Sequence, residues 1–390
     1  VPLDEPPIHP RRILARKLFD GLGDTCRTDQ LIEIEAGRIA RVGAWQAGGA
    51  GHSDMVEADI VSAGFIDLQI NGANDVQFNF DPTPEALERI AQGARRGGTA
   101  HLLPTFITAP DRQYLAAIDA ARAAIDVGVP GILGLHLEGP FLSPERPGIH
   151  DPAAIRALDP TDLSHLGAAF PGVLLLTLAP EHLPPGTLTA LSDAGVIVFA
   201  GHSAATAACI EVAQTQGLRG ATHLFNAMSQ LTGREPGLVG VVLASDRLFA
   251  GIVADGHHVA WSNIGIAARL MPDRLCLVTD AMLTLAGRTT EFDLHGEAIR
   301  LEGGRLTNAA DRLAGAHVAM DESVRNLVAQ LDMPIAAALR MASANPARAL
   351  GLGDELGVVR AGYRASLTLL DNDLEAVGTV VDGALFDRTG

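Results

Sequence analysis

Eight short apolar runs recur between residues 65 and 280, each ending in a polar turn and a helix-like stretch. They are FIDLQI (65–70), TAHLLPTF (99–106), ILGLHLEG (132–139), VLLLTLAP (173–180), VIVFAGH (196–202), GATHLF (220–225), FAGIVAD (249–255) and RLCLVTD (274–280). Short apolar runs bounded by Gly, Pro and Asp predict strands buried on both faces. Alanine-rich stretches between them, such as PEALERIAQGARRG and QYLAAIDAARAAIDVG, predict helices. Eight strands alternating with helices predict parallel βα units closed into a (β/α)8 TIM-like barrel. A doubly wound open sheet is the alternative, and it lacks the early GxGxxG fingerprint.

The two ends break this alternation. ARKLFDG and LIEIEAGRIARVG near the start, and GVVRAGYRASLTLLD and AVGTVVDGALF near the end, read as short strands with Gly and Asp turns. Chain termini often lie close together, so both ends predict one small β-sandwich domain, residues 1–60 with 348–390, beside a barrel of residues 61–347. Residues 283–313, after the eighth strand, read as a β-hairpin insertion.

Composition narrows the function. With 390 residues and 47% hydrophobic side chains the chain can fill one large core with a small annex. No apolar run reaches the roughly 20 residues that span a bilayer. The opening VPLDEPPIHPRR has neither initiator Met nor signal-peptide organisation and reads as a processed or engineered cytoplasmic N-terminus. Cys26, Cys209 and Cys276 are odd in number and far apart, which suits a reducing cytosol. A net charge of −17 argues against a nucleic-acid surface, which needs a basic stripe. Lys17 is the only lysine, so the body of the chain has none for a Schiff base, a Walker motif or a carboxylated metal bridge.

Barrel active sites gather at the C-terminal ends of the strands. Here those ends read Glu138 (HLEGP), His202 (AGHS), His223 (THLFNAM) and Asp280 (VTDAM). One carboxylate and two imidazoles match a catalytic zinc site with a fourth position open to water, and Asp280 then supplies a general base. Singly, each has a plainer use: a histidine as a hydrogen-bonded rim residue, Glu138 as an acceptor at a turn, Asp280 as a helix cap. Together, at equivalent ends of four strands, they favour the site. His9, His52, His165, His182 and His295 read as surface groups, and His101 and His136 as structural ones. GFIDLQING places Asp67, Gln69 and Asn71 on one face of the first strand, with two neutral amides where a metal enzyme can carry histidines.

HLEGPFLSPERPGIHDP, AGHSAAT, THLFNAMSQLTGREPGLVG, ADGHHV and LVTDAM together resemble the N-acetylglucosamine-6-phosphate deacetylase family of the amidohydrolase superfamily. The resemblance runs from GFID to SANPARALGL and through the C-terminal β-segment. It implies a barrel with a β-sandwich from both chain ends, and hydrolysis of an N-acetylated amino-sugar phosphate to the free amine and acetate. It further implies that Glu138, His202 and His223 bind one divalent metal, usually zinc. Asp280 matches the catalytic aspartate, and His150 in PGIHDP the histidine that meets the acetamide carbonyl. Asn226 and Ala227, partly through backbone N–H groups, and His258 match phosphate-binding positions. Arg234 matches an arginine that reaches the phosphate of the neighbouring subunit, which implies a homodimer. For His257 the solvated side chain is the default.

Binuclear relatives in the superfamily carry His-x-His at the end of the first strand, and many bridge two metals with a carboxylated lysine. Gln69-Ile70-Asn71 stands there in this chain, and Lys17 is remote in sequence, so the resemblance implies one metal per chain. Asp67 reads as an acceptor behind the site rather than a ligand. Ala63 and Ser366 depart from residues common in the superfamily and lie outside the expected site. Other readings remain open: the galactosamine epimer as substrate, another mononuclear amidohydrolase acting for example on cyclic amides, or a barrel that only binds. Arg234 and His258 argue against an uncharged ring, which needs no phosphate clamp.

Overall fold

The computed structural model describes residues 7–46 and 55–387. The first six residues of the opening segment, and His52, lie outside the described residues. Eight parallel strands form the central sheet: β1 (Phe65–Ile70), β2 (Thr99–Ile107), β3 (Gly134–Glu138), β4 (Val173–Leu178), β5 (Ile197–Ala200), β6 (Leu218–Ala221), β7 (Phe249–Ile252) and β8 (Leu275–Leu277). They pair in sequence order. The sheet closes where Asp280 N–H donates to Gln69 O at 2.9 Å and Asn71 N–H donates to Ala281 O at 2.8 Å. All eight expected strands are present, in a closed barrel rather than an open sheet.

Outward residues such as Leu135, Leu137, Leu174, Leu176, Val198 and Ile252 pack with the helices in one large buried cluster. Inward residues Leu103, Leu175, Phe199, Phe249 and Cys276 pack in a second cluster that fills the barrel. Burial on both faces explains why the strand sequences are continuously apolar. The expected helices span Pro84–Arg95 and Tyr114–Asp126. The first starts on Thr83, whose hydroxyl accepts from Ala86 N–H, with Pro84 in the first turn, where its missing N–H costs nothing.

Both chain ends join one seven-stranded sheet in the order Ala384–Asp387, Ala376–Val381, Leu367–Leu370, Met55–Ala63, Arg12–Phe19, Arg27–Glu35, Arg38–Ala44. Its far edge returns to the segment before Leu367: Ile39 N–H donates to Tyr363 O at 2.9 Å and Ala365 N–H to Gly37 O at 2.8 Å. The sheet thereby wraps its own core, in which Ile13, Leu18, Ile32, Val61, Leu367 and Val380 are buried together. Buried His101 joins this unit to the barrel floor, its Nε2 lying 2.8 Å from Ser366 Oγ.

The insertion after β8 differs from a single hairpin. It is a four-stranded antiparallel sheet, Glu291–Leu294, Glu297–Glu302, Arg305–Thr307 and Leu313–Ala316, so it runs past residue 313. His295-Gly296 and Gly303-Gly304, all with positive φ, make its two tight turns. Phe292, Leu294, Ile299 and Leu306 bury their side chains against Ile107 and Met282 of the barrel. Its last strand grips the barrel mouth, since Ala316 N–H donates to Asp280 O at 2.8 Å and Met282 N–H to Ala316 O at 3.1 Å.

Candidate metal and active site

Glu138 ends β3, while His202 and His223 sit just beyond β5 and β6. Their donor atoms converge: His202 Nε2 lies 3.1 Å and His223 Nε2 2.9 Å from Glu138 Oε1, and the two imidazole nitrogens are 3.0 Å apart. All three residues are buried. Among the described residues this is the one group of three or more His, Cys, Asp or Glu side chains placed to hold a metal ion. His202 Nδ1 lies 2.9 Å from Arg146 O, which assigns the proton to Nδ1 and turns a bare Nε2 lone pair to the centre. Three inward donors with too few protons between them fit a cation.

The backbone is bent to achieve this. His202 (φ 47°), His223 (φ 28°) and Asp280 (φ 49°) all adopt left-handed conformations. Such conformations cost side-chain-bearing residues about 1 kcal/mol or more each and cluster at functional sites. Gly148 (φ +58°) lies where a Cβ would come 2.9 Å from His202 Cε1, so only glycine permits the close approach of the His150 loop.

Asp280 stands beside the cluster. Its Oδ1 accepts from Asn71 Nδ2 at 2.7 Å and Gln69 Nε2 at 3.2 Å, and Gln69 Nε2 also donates to Glu138 Oε2 at 3.1 Å. The two amides thus spend N–H donors on the carboxylates of Asp280 and Glu138. Burial, with the nearby Glu138 charge, holds the Asp280 carboxyl above its ordinary value. For Glu138 burial works upward, but the imidazoles of His202 and His223 against it prevail and hold it well below the usual carboxylate range. Asp67 is not among the residues that line the cavity and accepts from Thr279 Oγ1 at 2.5 Å, Thr279 N–H at 3.2 Å and Gln69 N–H at 3.1 Å.

His150 borders the same cavity, its ring centroid 4.3 Å from that of His202. Thr108 N–H donates to its Nδ1 at 3.4 Å with the hydroxyl at 2.8 Å, which assigns the proton to Nε2, 3.9 Å from Glu138 Oε2. Burial, with the neighbouring His202, holds this imidazole well below its ordinary value and therefore neutral.

The cavity encloses about 350 Å³ and also touches Asn226, Ala227 and His258. Asn226 turns inward on its own loop: its N–H donates to His223 O at 3.0 Å, and its Nδ2 to the carbonyls of His223 (3.3 Å) and Leu224 (3.4 Å). His258 is held by Asp255, whose Oδ2 lies 2.6 Å from Nδ1 and whose Oδ1 accepts the His258 N–H at 2.9 Å. Burial raises Asp255, yet the His258 hydrogen bond outweighs it and brings the carboxyl down to about 2. Arg234 is not part of this cavity; it lies on an exposed loop between β6 and the helix Gly237–Ala244. His9, His165, His182 and His295 are exposed, and His101 and His136 buried, as expected.

Several residues of the site escaped sequence reasoning. Thr108 follows β2 with no motif around it. Asp255 is the second residue of the ADGHHV run, where spacing alone could have paired it with His258. Arg305, Asp311 and Arg312 reach the cavity only because the insertion folds back over the mouth.

A closed parallel barrel carrying a Glu–His–His cluster and a further carboxylate at its C-terminal mouth is the design of a metal-dependent hydrolase. The sequence model of the Amidohydrolase family matches residues 60–386, and the chain belongs to that family. It is 39% identical over 332 residues to an N-acetylglucosamine-6-phosphate deacetylase of Haemophilus influenzae, covering 84% of this chain and 87% of the relative. It is 38% identical over 331 residues to an N-acetylgalactosamine-6-phosphate deacetylase of a Shewanella species, covering 83% and 82%. The crystal structure of N-acetylglucosamine-6-phosphate deacetylase from Pasteurella multocida superposes with a TM-score of 0.91 at 32% identity, over 96% of this chain and 99% of that one.

Proposed function

We propose that this chain hydrolyses the acetamide of N-acetylglucosamine 6-phosphate to glucosamine 6-phosphate and acetate, in the cytoplasm, as a homodimer with one zinc per chain. The observation that carries the reading is the convergence of Glu138, His202, His223, Asp280 and His150 on one cavity that His258 also borders. The deacetylase relatives at 39% and 38% identity support the substrate class. The division into a barrel of residues 61–347 and a β-domain of residues 1–60 with 348–390 is supported by the seven-stranded sheet.

Glu138, His202 and His223 would hold the zinc, which supplies a Lewis acid toward water and the carbonyl oxygen. Asp280 moves the proton. Its Oδ1 is fixed by Asn71 and Gln69, which leaves Oδ2 to take a proton from the attacking water. The same oxygen then delivers that proton to the sugar nitrogen, because an amine anion cannot leave unprotonated. A raised affinity for protons suits both halves of this task. Neutral His150 directs Nε2–H at the carbonyl oxygen as charge develops there, a donor worth about 3–4 kcal/mol at such a position. His258, oriented by Asp255, and the turn at Asn226 and Ala227 hold the phosphate, joined by Arg234 of the second subunit, whose planar fork can bind two oxygens.

The Shewanella relative favours a second reading, the galacto epimer, which differs by one inverted hydroxyl. Acetate release from the two 6-phosphates and from free N-acetylglucosamine, with metal analysis, tests the assignment. Fastest turnover of the gluco phosphate at one zinc per chain is expected. Hydrolysis of neither phosphate refutes the function, and two tightly held metals per chain refute the stoichiometry.

A further inference from the structure

Among the described residues, Arg305 and Arg312 are the only arginines that border the cavity, and both come from the insertion. They differ in what they touch. Arg305 Nη2 is 3.1 Å from Asp311 Oδ1, so its charge is answered locally. Arg312 Nη1 donates to Gly148 O at 3.1 Å, and Arg312 has no carboxylate partner among the described residues. A guanidinium carries five N–H donors and only one of these is spent. Besides the two arginines and four histidines, the cavity wall carries the carboxylates of Glu138, Asp280 and Asp311. A dianionic ligand entering this cavity meets one cation of the same chain without a carboxylate of its own.

The position of that cation is fixed by its neighbours. Gly148 lies between His202 and Ala227: a Cβ on Gly148 would sit 2.9 Å from His202 Cε1 and 3.9 Å from Ala227 Cβ. On the other side the Gly303-Gly304 turn lies beside the histidine pair, with a Cβ on Gly304 falling 3.6 Å from His257 Nε2. The insertion therefore spans from His257-His258 to Gly148-Ala227, the side of the cavity that the proposed function gives to the phosphate.

We infer that Arg312 is a phosphate-binding residue of its own chain, supplying the sugar phosphate with a charge-assisted contact additional to any from the neighbouring subunit. This rests on the sugar-phosphate reading of the site. The Gly148 contact makes the same arginine a tie between the insertion and the His150 loop, and the two roles separate kinetically. Phosphate binding predicts that Arg312→Ala raises KM for N-acetylglucosamine 6-phosphate about ten- to a hundredfold, with kcat nearly kept. Hydrolysis of unphosphorylated N-acetylglucosamine should stay within about twofold of wild type. Inhibition by inorganic phosphate should weaken about tenfold or more, and Arg312→Lys should recover part of it.

The inference fails if Arg312→Ala slows both substrates equally, which is the signature of a tie alone, or if it leaves KM and phosphate inhibition unchanged. Metal content and thermal midpoint measured on each variant show that the loss is not one of fold. If wild type releases acetate from no sugar phosphate, the functional reading itself falls. If wild type is active and only the Arg312 variants behave as wild type, this inference falls alone.

Discussion

At Asp280 a single carboxylate has two unlike oxygens. Oδ1 is tied by amide donors on β1, and Oδ2 has no hydrogen-bond partner among the described residues. If Asp280 carries the proton as proposed, replacing the side chain by its isosteric amide should leave the cluster intact and remove only that step. Asp280→Asn should keep about one zinc per chain while kcat falls about 10²–10⁴-fold. Near wild-type turnover in that variant would remove Asp280 from the chemistry. Glu138, His202, His223 and Asp280 were legible in the sequence because each stands at a strand end, a position the barrel fixes in advance. Thr108, Asp255 and Arg312 were not. Their partners are set by loop conformation, and a single polar residue in a loop has many plainer uses.

Among elements, the seam between β1 and the chain after β8 carries the closure of the barrel. Buried Asp67 binds Thr279 through side chain and backbone, and burial pushes its carboxyl up to about 7. The folded value lies above the unfolded one, near 3.9, so the stability it contributes is complete below about pH 4 and is lost as pH rises through about 7. The stability difference between wild type and Asp67→Asn, from denaturant unfolding, should therefore shift against wild type between about pH 4 and 8. A difference that stays flat, or moves in favour of wild type, contradicts the assignment. Strand identities were legible because residues buried on both faces leave continuous apolar runs. The insertion was only half legible: its hairpin turns show in the sequence, but its edge pairing with Ala281 depends on where the barrel places that residue.

For the whole molecule, the exposed loop of Arg234 bears on assembly. If this arginine completes a neighbour's site, two inactive variants should complement each other. Co-refolding Asp280→Asn with Arg234→Ala subunits gives mixed dimers in which one site has both an intact Asp280 and the partner's intact arginine. About a quarter of wild-type activity should return, since half the dimers are mixed and half their sites are whole. No recovery would place Arg234 in its own chain's site or outside catalysis. The two-ended β-domain was legible at this scale, because strand-like ends flanking a barrel have few other places to pack. Its wrapping into a single sheet was not, as register between distant strands leaves no local mark.

That sheet also sets an order of events during synthesis. The last four residues of Met55–Ala63, Ile60–Ala63, pair with Leu367–Leu370, and Ile8 pairs with Leu385. The first four strands of the β-domain are made long before the last three, with the entire barrel in between. At about 5–20 residues per second the ribosome needs tens of seconds to cover that distance. Through this interval Met55–Ala63 is an open edge, able to pair with another nascent chain. Crowded polysomes are thus where this protein is most exposed to misassembly, and a permutant that starts at the Leu367 strand would shorten the wait to the time needed for the linker and those first strands.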